Sequence, residues 1–230
     1  MDRVVKSTER SPHTVIGIGI AVHQKSSHIG MLYRTAEGEP AKILHLAWHH
    51  QLRSDPPSQS YPCWVRPWIP NERALAIAAF CRRIWKKAGD DQVPYGFSAP
   101  SAFFDHSGAL ISGSAKVGLT CASFVLAVFD SAGLPLVRLE EWPSPTPDDK
   151  ARQRELLDQL RKNADVSPAH LSALETEIGN VRYRPLEVAG AGTSEVLPAS
   201  HAYASEMASK IKDLLDTLSG AATQGELHQD

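Results

Sequence analysis

Gly118-Leu119-Thr120-Cys121-Ala122-Ser123-Phe124-Val125-Leu126-Ala127-Val128-Phe129 reads as a helix that opens at a cysteine. Thr120 carries the side chain of an N-cap. Phe124, Val125, Val128 and Phe129 recur at the spacing that lays one helical face on a core. Gly133 and Pro135 end the helix. A thiol in the first turn feels the positive end of the helix dipole, which favours thiolate over thiol and gives a nucleophile at neutral pH. A small buried structural residue is the commoner fate of a free cysteine. The dipole supplies only ~0.3–1 kcal/mol, so function turns on whether the chain also provides a base.

Working outward, the chain has 230 residues, enough for one large domain or a core with an appendage. A formal net charge of −2 gives no general attraction to nucleic acid or to anionic membranes. Cys63, Cys81 and Cys121 are odd in number and widely spaced, which argues against a disulfide framework or a structural zinc site and for a reducing compartment. Cys81 falls on the apolar face of a helix and Cys63 between Pro62 and Trp64, so both read as structural. Residues 1–14 are polar, with no apolar signal core. The apolar runs 15–22 and 119–129 are too short to span a bilayer. The expectation is a soluble, cytoplasmic protein, with export by a route lacking a cleaved signal left open.

Residues up to His13 read as a loose tail. Residues 14–22 form a strand by their β-branched content. Their Gly17-x-Gly19 lacks the third glycine of a dinucleotide fingerprint, Val22 standing there, and no helix follows. A turn at 24–27 leads to a strand at 28–33, a second turn at 37–40 to a strand at 41–48, and a polar, proline-bearing loop to a short strand at 61–65. The short turns imply an antiparallel meander. Asn71 caps a helix to about Ala88, with Ile77, Phe80, Cys81, Ile84 and Trp85 inward and Arg82, Arg83, Lys86 and Lys87 on its solvated side. A loop at 93–108, rich in Tyr, Phe, Ser and Pro, leads toward the cysteine helix. After Leu139 a proline-rich linker, 142–147, introduces a helix at 148–163 anchored by Leu156, Leu157 and Leu160. A helix capped by Ser167 with Pro168 in its first turn comes next, then a strand at 181–188 and a last helix at 199–218. Residues 219–230 should fray. The domain expectation is a core over 14–140 and a helical C-terminal extension over 141–230 packed on it.

Chemistry elsewhere is thin. The chain has no nucleophile elbow, no Walker loop and no zinc-protease helix. His45, His49 and His50 lack a carboxylate or cysteine at ligand spacing, so neither a metal nor another cofactor is expected. What remains is a Cys–His arrangement, in which an imidazole within reach of the thiol acts as base and a third polar group orients it. On the 28–33 strand, His28, Gly30 and Leu32 share one face, and Gly30 leaves room there for a helix end. On the 41–48 strand, His45 and Ala47 share a face. If the two strands pair, His28 and His45 are adjacent across the ladder. His23, His49 and His50 are rivals within a few residues, and a histidine held by ordinary hydrogen bonds is the bland reading of each.

His28-Ile-Gly-Met-Leu-Tyr33, Ile43-Leu-His-Leu-Ala47 and Leu119-Thr-Cys-Ala-Ser-Phe-Val125, in that order, resemble the circularly permuted branch of the NlpC-like, papain-fold cysteine hydrolases. That branch includes the lecithin:retinol acyltransferase-like and YiiX-like proteins, and in it the histidine strand precedes the cysteine helix. The resemblance covers about residues 15–134. It implies an α+β, papain-like antiparallel sheet packed against a helix with the nucleophilic Cys121 at its N-terminus, His28 as base, His45 as third member, and extra C-terminal helices. Thr120 stands where the acyltransferases usually carry Asn, which disfavours a lipid substrate. Tyr95-Gly96-Phe97 resembles a tyrosine-bearing loop of some relatives, and Tyr95 and Trp48 are candidate substrate-binding residues. The expected activity is a cysteine peptidase or amidase acting through a thioester on a peptide or peptidoglycan-like amide. Alternatives are an esterase or acyltransferase, for which Trp48, Trp64 and Trp68 could line an acyl channel, and a non-catalytic binding module.

Overall fold

A computed structural model of the chain describes residues 3–6, 15–23, 26–58, 60–88, 93–111 and 117–225. Of the expected turn at 24–27, residues 24–25 lie outside these, and Ser26 and Ser27 instead begin a strand. Residues 1–2 and 7–13 of the expected tail and the last five of the expected frayed end also lie outside. Among the described residues the fold is α+β, with a six-stranded antiparallel sheet and six α-helices. Its strands are β1 (Val4–Lys6), β2 (Ile16–His23), β3 (Ser26–Tyr33), β4 (Lys42–Trp48), β5 (Gln51–Asp55) and β6 (Cys63–Val65), ordered β1-β6-β2-β3-β4-β5. The meander over β2, β3 and β4 is as expected from the short turns between them. Two strands are not. β1 lies in the stretch expected to be a loose tail and pairs with β6, and β5 lies in the stretch expected to be a loop and pairs with β4. Each is short and an edge strand. β5 is mostly polar and takes its pairing from β4, while the two valines of β1 favour a strand but are too few to mark one without the neighbouring edge.

The sheet separates two apolar clusters. Ile18, Ile20, Ile29, Met31, Leu44 and Leu46 face the main core, which is closed by α1 (Asn71–Ala88) and α2 (Cys121–Ser131). Ala21, Leu32, Ile43, Tyr61 and Trp64 form the smaller one. Asn71 is the first residue of α1 rather than its cap, since Pro70 supplies the carbonyl that accepts from Ala74 N–H. Cys63 and Cys81 are fully buried, as their packing role requires.

The C-terminal part contains α3 (Pro147–Arg161), α4 (Pro168–Thr176), α5 (Pro185–Ala191) and α6 (His201–Gly225). The strand expected at 181–188 is absent: Pro185 opens α5 there, a first-turn proline of the kind that begins helices. α6 runs to Gly225, past the expected stop at 218. The proline stretch 142–147 is no free linker, because Trp142 is buried against Tyr183 and His201. Asp149, in the first turn of α3, is buried and accepts from Thr146, Arg182 and Arg184. Burial works against its charge, but these hydrogen bonds and cations win and hold its carboxyl at about 2. No helix among the described residues is long and apolar enough to cross a membrane.

α2 is placed by main-chain contacts. Leu119 N–H donates to the Pro94 carbonyl at 3.0 Å, Gly96 N–H to Leu119 at 3.1 Å and Ser98 N–H to Gly118 at 3.0 Å. A Cβ on Gly118 would lie 2.5 Å from the Pro94 oxygen and 2.7 Å from the Gly96 nitrogen. These are backbone atoms in a hydrogen-bonded ladder and have nowhere to go. Gly118→Ala should therefore lower unfolding free energy by about 2 kcal/mol or more, read as a shift of the denaturant midpoint at constant slope.

Candidate active site

Thr120 caps α2 as expected, and more completely: its hydroxyl accepts from Ser123 N–H, while the Ser123 hydroxyl accepts from Thr120 N–H at 2.8 Å. The reciprocal pair is a capping box with Ser in the place usually held by Glu or Gln. It leaves Cys121 as the first helical residue, 9% exposed. Backbone N–H groups of Ile29, Ala122 and Cys121 itself act on the sulfur. The Ile29 N–H belongs to the peptide that joins His28 to Ile29, so the sulfur sits at the main chain of His28. The β3–β4 ladder pairs Met31 with Leu44, Leu32 with Ile43 and Tyr33 with Lys42, and just beyond it Gly30 lies against His45.

The sequence expectation of a thiolate favoured by the helix dipole is corrected here. Burial raises the Cys121 thiol above its ordinary value, and the three N–H groups and the Arg182 charge recover only part of the shift. Desolvation outweighs a dipole worth less than about 1 kcal/mol. The resting group is a thiol, and a base must remove its proton.

His28 and His45 come together. His28 Nε2 lies 2.9 Å from His45 Nδ1, and His45 Nε2 lies 3.2 Å from a carboxylate oxygen of Asp55. The Tyr61 ring stands edge-on to both imidazoles. A carboxylate only accepts, so neutral His45 carries its proton on Nε2 and accepts on Nδ1. His28 then donates from Nε2, which leaves its Nδ1 with the lone pair, and Nδ1 is the ring nitrogen nearer the main chain. Burial lowers the His45 pKa, against the opposing pull of Asp55, and so keeps that ring neutral as the relay requires.

The space at Gly30, expected to admit a helix end, is used otherwise. A Cβ there would lie 2.7 Å from the His45 Cβ and 2.8 Å from the Ile43 Cγ2, so the missing side chain lets His45 lean across β3 to reach His28. Asp55 was not a candidate from sequence, since it sits at the end of β5, whose residues read as loop. The alternation of Leu52 and Ser54 with polar neighbours was its only trace.

A cleft of about 890 Å3 opens beside Cys121, lined by Ser26 and Ser27 of β3, Tyr95, Phe97, Thr120 and side chains of α3 and residues 181–187. Its lining stops one residue short of His28. Tyr95 is part of this wall, whereas Trp48 is not: Trp48 stacks against the Tyr95 ring at 4.8 Å and supports it. The wall is held from the C-terminal part. Glu177 accepts from Phe97 N–H and the Ser98 hydroxyl, and Asn180 donates to the Phe97 carbonyl.

The remaining rivals have other uses. His49 Nδ1 accepts from Tyr95 N–H at 3.3 Å, and His170 Nε2 bonds to the Tyr95 carbonyl at 2.9 Å, so the two rings hold the peptide groups on either side of Tyr95. His50 stacks on His49. The His23 side chain lies outside the described residues. No group of three or more His, Cys, Asp or Glu among the described residues is arranged to hold a metal ion. No protein-family model, curated protein or solved structure matches the chain.

Burial first, then the neighbouring His50 and His170, lower the His49 pKa from 6.5 to about 4. Above 6.5 the folded and unfolded rings are both neutral. As pH falls toward about 4 the unfolded ring binds a proton that the folded one refuses, so stability present at neutral pH is lost across that window. Denaturant titrations at stepped pH should show a loss on the order of 2–3 kcal/mol, and His49→Gln should flatten the slope.

Proposed function

We propose that the chain is a cysteine hydrolase that cleaves an amide bond through a thioester, on a papain-like scaffold of the permuted NlpC type. One observation carries this reading: the hydrogen-bonded series Asp55–His45–His28 begins at a carboxylate and ends at the strand position whose peptide contacts the Cys121 sulfur. Asp55 and His45 fix the His28 tautomer, and a base so oriented is what a raised thiol needs.

When substrate enters, His28 Nδ1 takes the Cys121 proton as the sulfur bonds to the scissile carbonyl carbon. The carbonyl electron pair moves to oxygen, where the Cys121 N–H at the helix start donates to it. Collapse of the tetrahedral adduct breaks the C–N bond, and His28 returns the proton to the leaving amine. The product left on the enzyme is a Cys121 thioester. Water then enters, His28 takes one of its protons, and hydroxide adds to the thioester carbon. The C–S bond breaks, the acid departs and the proton returns to sulfur. No cofactor enters these steps. The cleft wall is lined by Asp148, Arg152, Glu155, Arg182 and Arg184, which suits a polar peptide or peptidoglycan-like amide rather than an acyl chain. With Trp48 behind Tyr95, the acyl-channel alternative loses its main support.

Cys121→Ala should abolish turnover of a peptide or peptidoglycan-stem amide library while leaving the thermal transition in place. Retained turnover would reduce the chain to a binding module. Asp55→Asn places an N–H donor where a carboxylate stood and allows the His45 tautomer to reverse. It should lower kcat roughly 10- to 100-fold with little change in KM.

A further inference from the structure

The C-terminal extension brings cations to the cysteine cleft, and one of them is built differently from the others. Arg152 is paired with Glu155 at 2.8 Å, Arg184 reaches both Asp149 and Glu187 at 3.0 Å, and Lys212 is paired with Asp216 at 2.9 Å. Arg182, like Arg152, gives a single nitrogen, Nη1, to its carboxylate partner, here Asp149 at 3.0 Å, but that partner is buried where Glu155 is exposed. The Arg182 side chain is about one-third exposed to the cleft it lines with Cys121 and Tyr95. Asp149 holds that nitrogen from a buried position, itself fixed by Thr146 and Arg184. The guanidinium is thus tethered at one end, and its Nε and Nη2 donors keep the fork that a carboxylate accepts in two parallel bonds. Its charge acts on the cleft interior, lowering both the Cys121 thiol and the Tyr95 phenol against the larger effect of burial.

We propose that Arg182, delivered by the C-terminal extension and anchored on Asp149, is the specificity-determining residue of this cleft and binds a carboxylate carried by the substrate beside its scissile amide. The inference rests on Cys121 being the reactive thiol, and it narrows the substrate class from any amide to an amide with a neighbouring anionic group. The acids of the lining do not cancel it. Glu155 and Glu187 are engaged by Arg152 and Arg184, and Asp148 stands in the solvent-exposed first turn of α3, where water and salt screen its charge.

The test compares two alkylating probes of similar size and opposite demand, iodoacetate and iodoacetamide, on the whole protein at about pH 8.5, with the labelled cysteine located by peptide mapping. Cys63, pushed up to about 11, and the fully buried Cys81 should lag behind Cys121. Any change in thiolate fraction scales both rates alike, so the iodoacetate-to-iodoacetamide ratio isolates the attraction of the carboxylate. Arg182→Gln should lower that ratio roughly fivefold, and Arg182→Lys should retain most of it. Should Arg182→Gln fail to fold, the wild-type ratio itself must fall as salt rises from about 0.02 to 0.5 M. A ratio indifferent to both Arg182→Gln and salt overturns the role of Arg182 while leaving the hydrolase reading intact. A Cys121 that neither reagent labels overturns both.

Discussion

The main chain at Gly96 and the main chain at Gly118 approach so closely that neither position has room for a side chain. From that contact follows the ladder between 94–98 and 117–119, and from the ladder the point at which α2 begins. Thr120 and Ser123 then close the helix end on each other, and Cys121 has one place to be: against β3, at the Ile29 N–H. A nucleophile held by main-chain hydrogen bonds has little freedom to drift, which is the condition for effective attack on a bound carbonyl.

The electrostatics of the site set burial against charge. The dipole of α2 and three N–H groups favour a thiolate, yet desolvation is larger and the thiol is raised. The same desolvation lowers His45 and thereby keeps it neutral, so it accepts from one neighbour and donates to the other. An ion pair at rest would need these balances reversed. The arrangement fits a thiol that loses its proton only as a carbonyl arrives.

The late helices are part of the cleft. Glu177 and Asn180 hold Phe97 and Ser98, His170 grips the Tyr95 peptide from α4, and Arg182 enters the cleft over buried Asp149. The contacts of Glu177, Asn180 and His170 link residues separated by 75 to 83 positions along the chain.

The sequence alone determined α2, its Thr120 cap, the β2–β3–β4 meander and the nearness of His28 to His45, because these follow from local rules: helical spacing, period-two alternation and short turns. It misassigned 181–188, where Pro185 was the available signal for a helix. Asp55, the Gly30 space filled by His45, the raised Cys121 thiol and Arg182 in the cleft were decided by tertiary structure. β5 is a strand only because β4 offers it an edge. The thiol is raised only because the fold removes water from it. Arg182 lines the cleft with Cys121 only because buried Asp149, 33 positions earlier in the chain, fixes its direction. Pairing, desolvation and long-range ion contacts depend on which surfaces meet, and no local pattern in the chain encodes that.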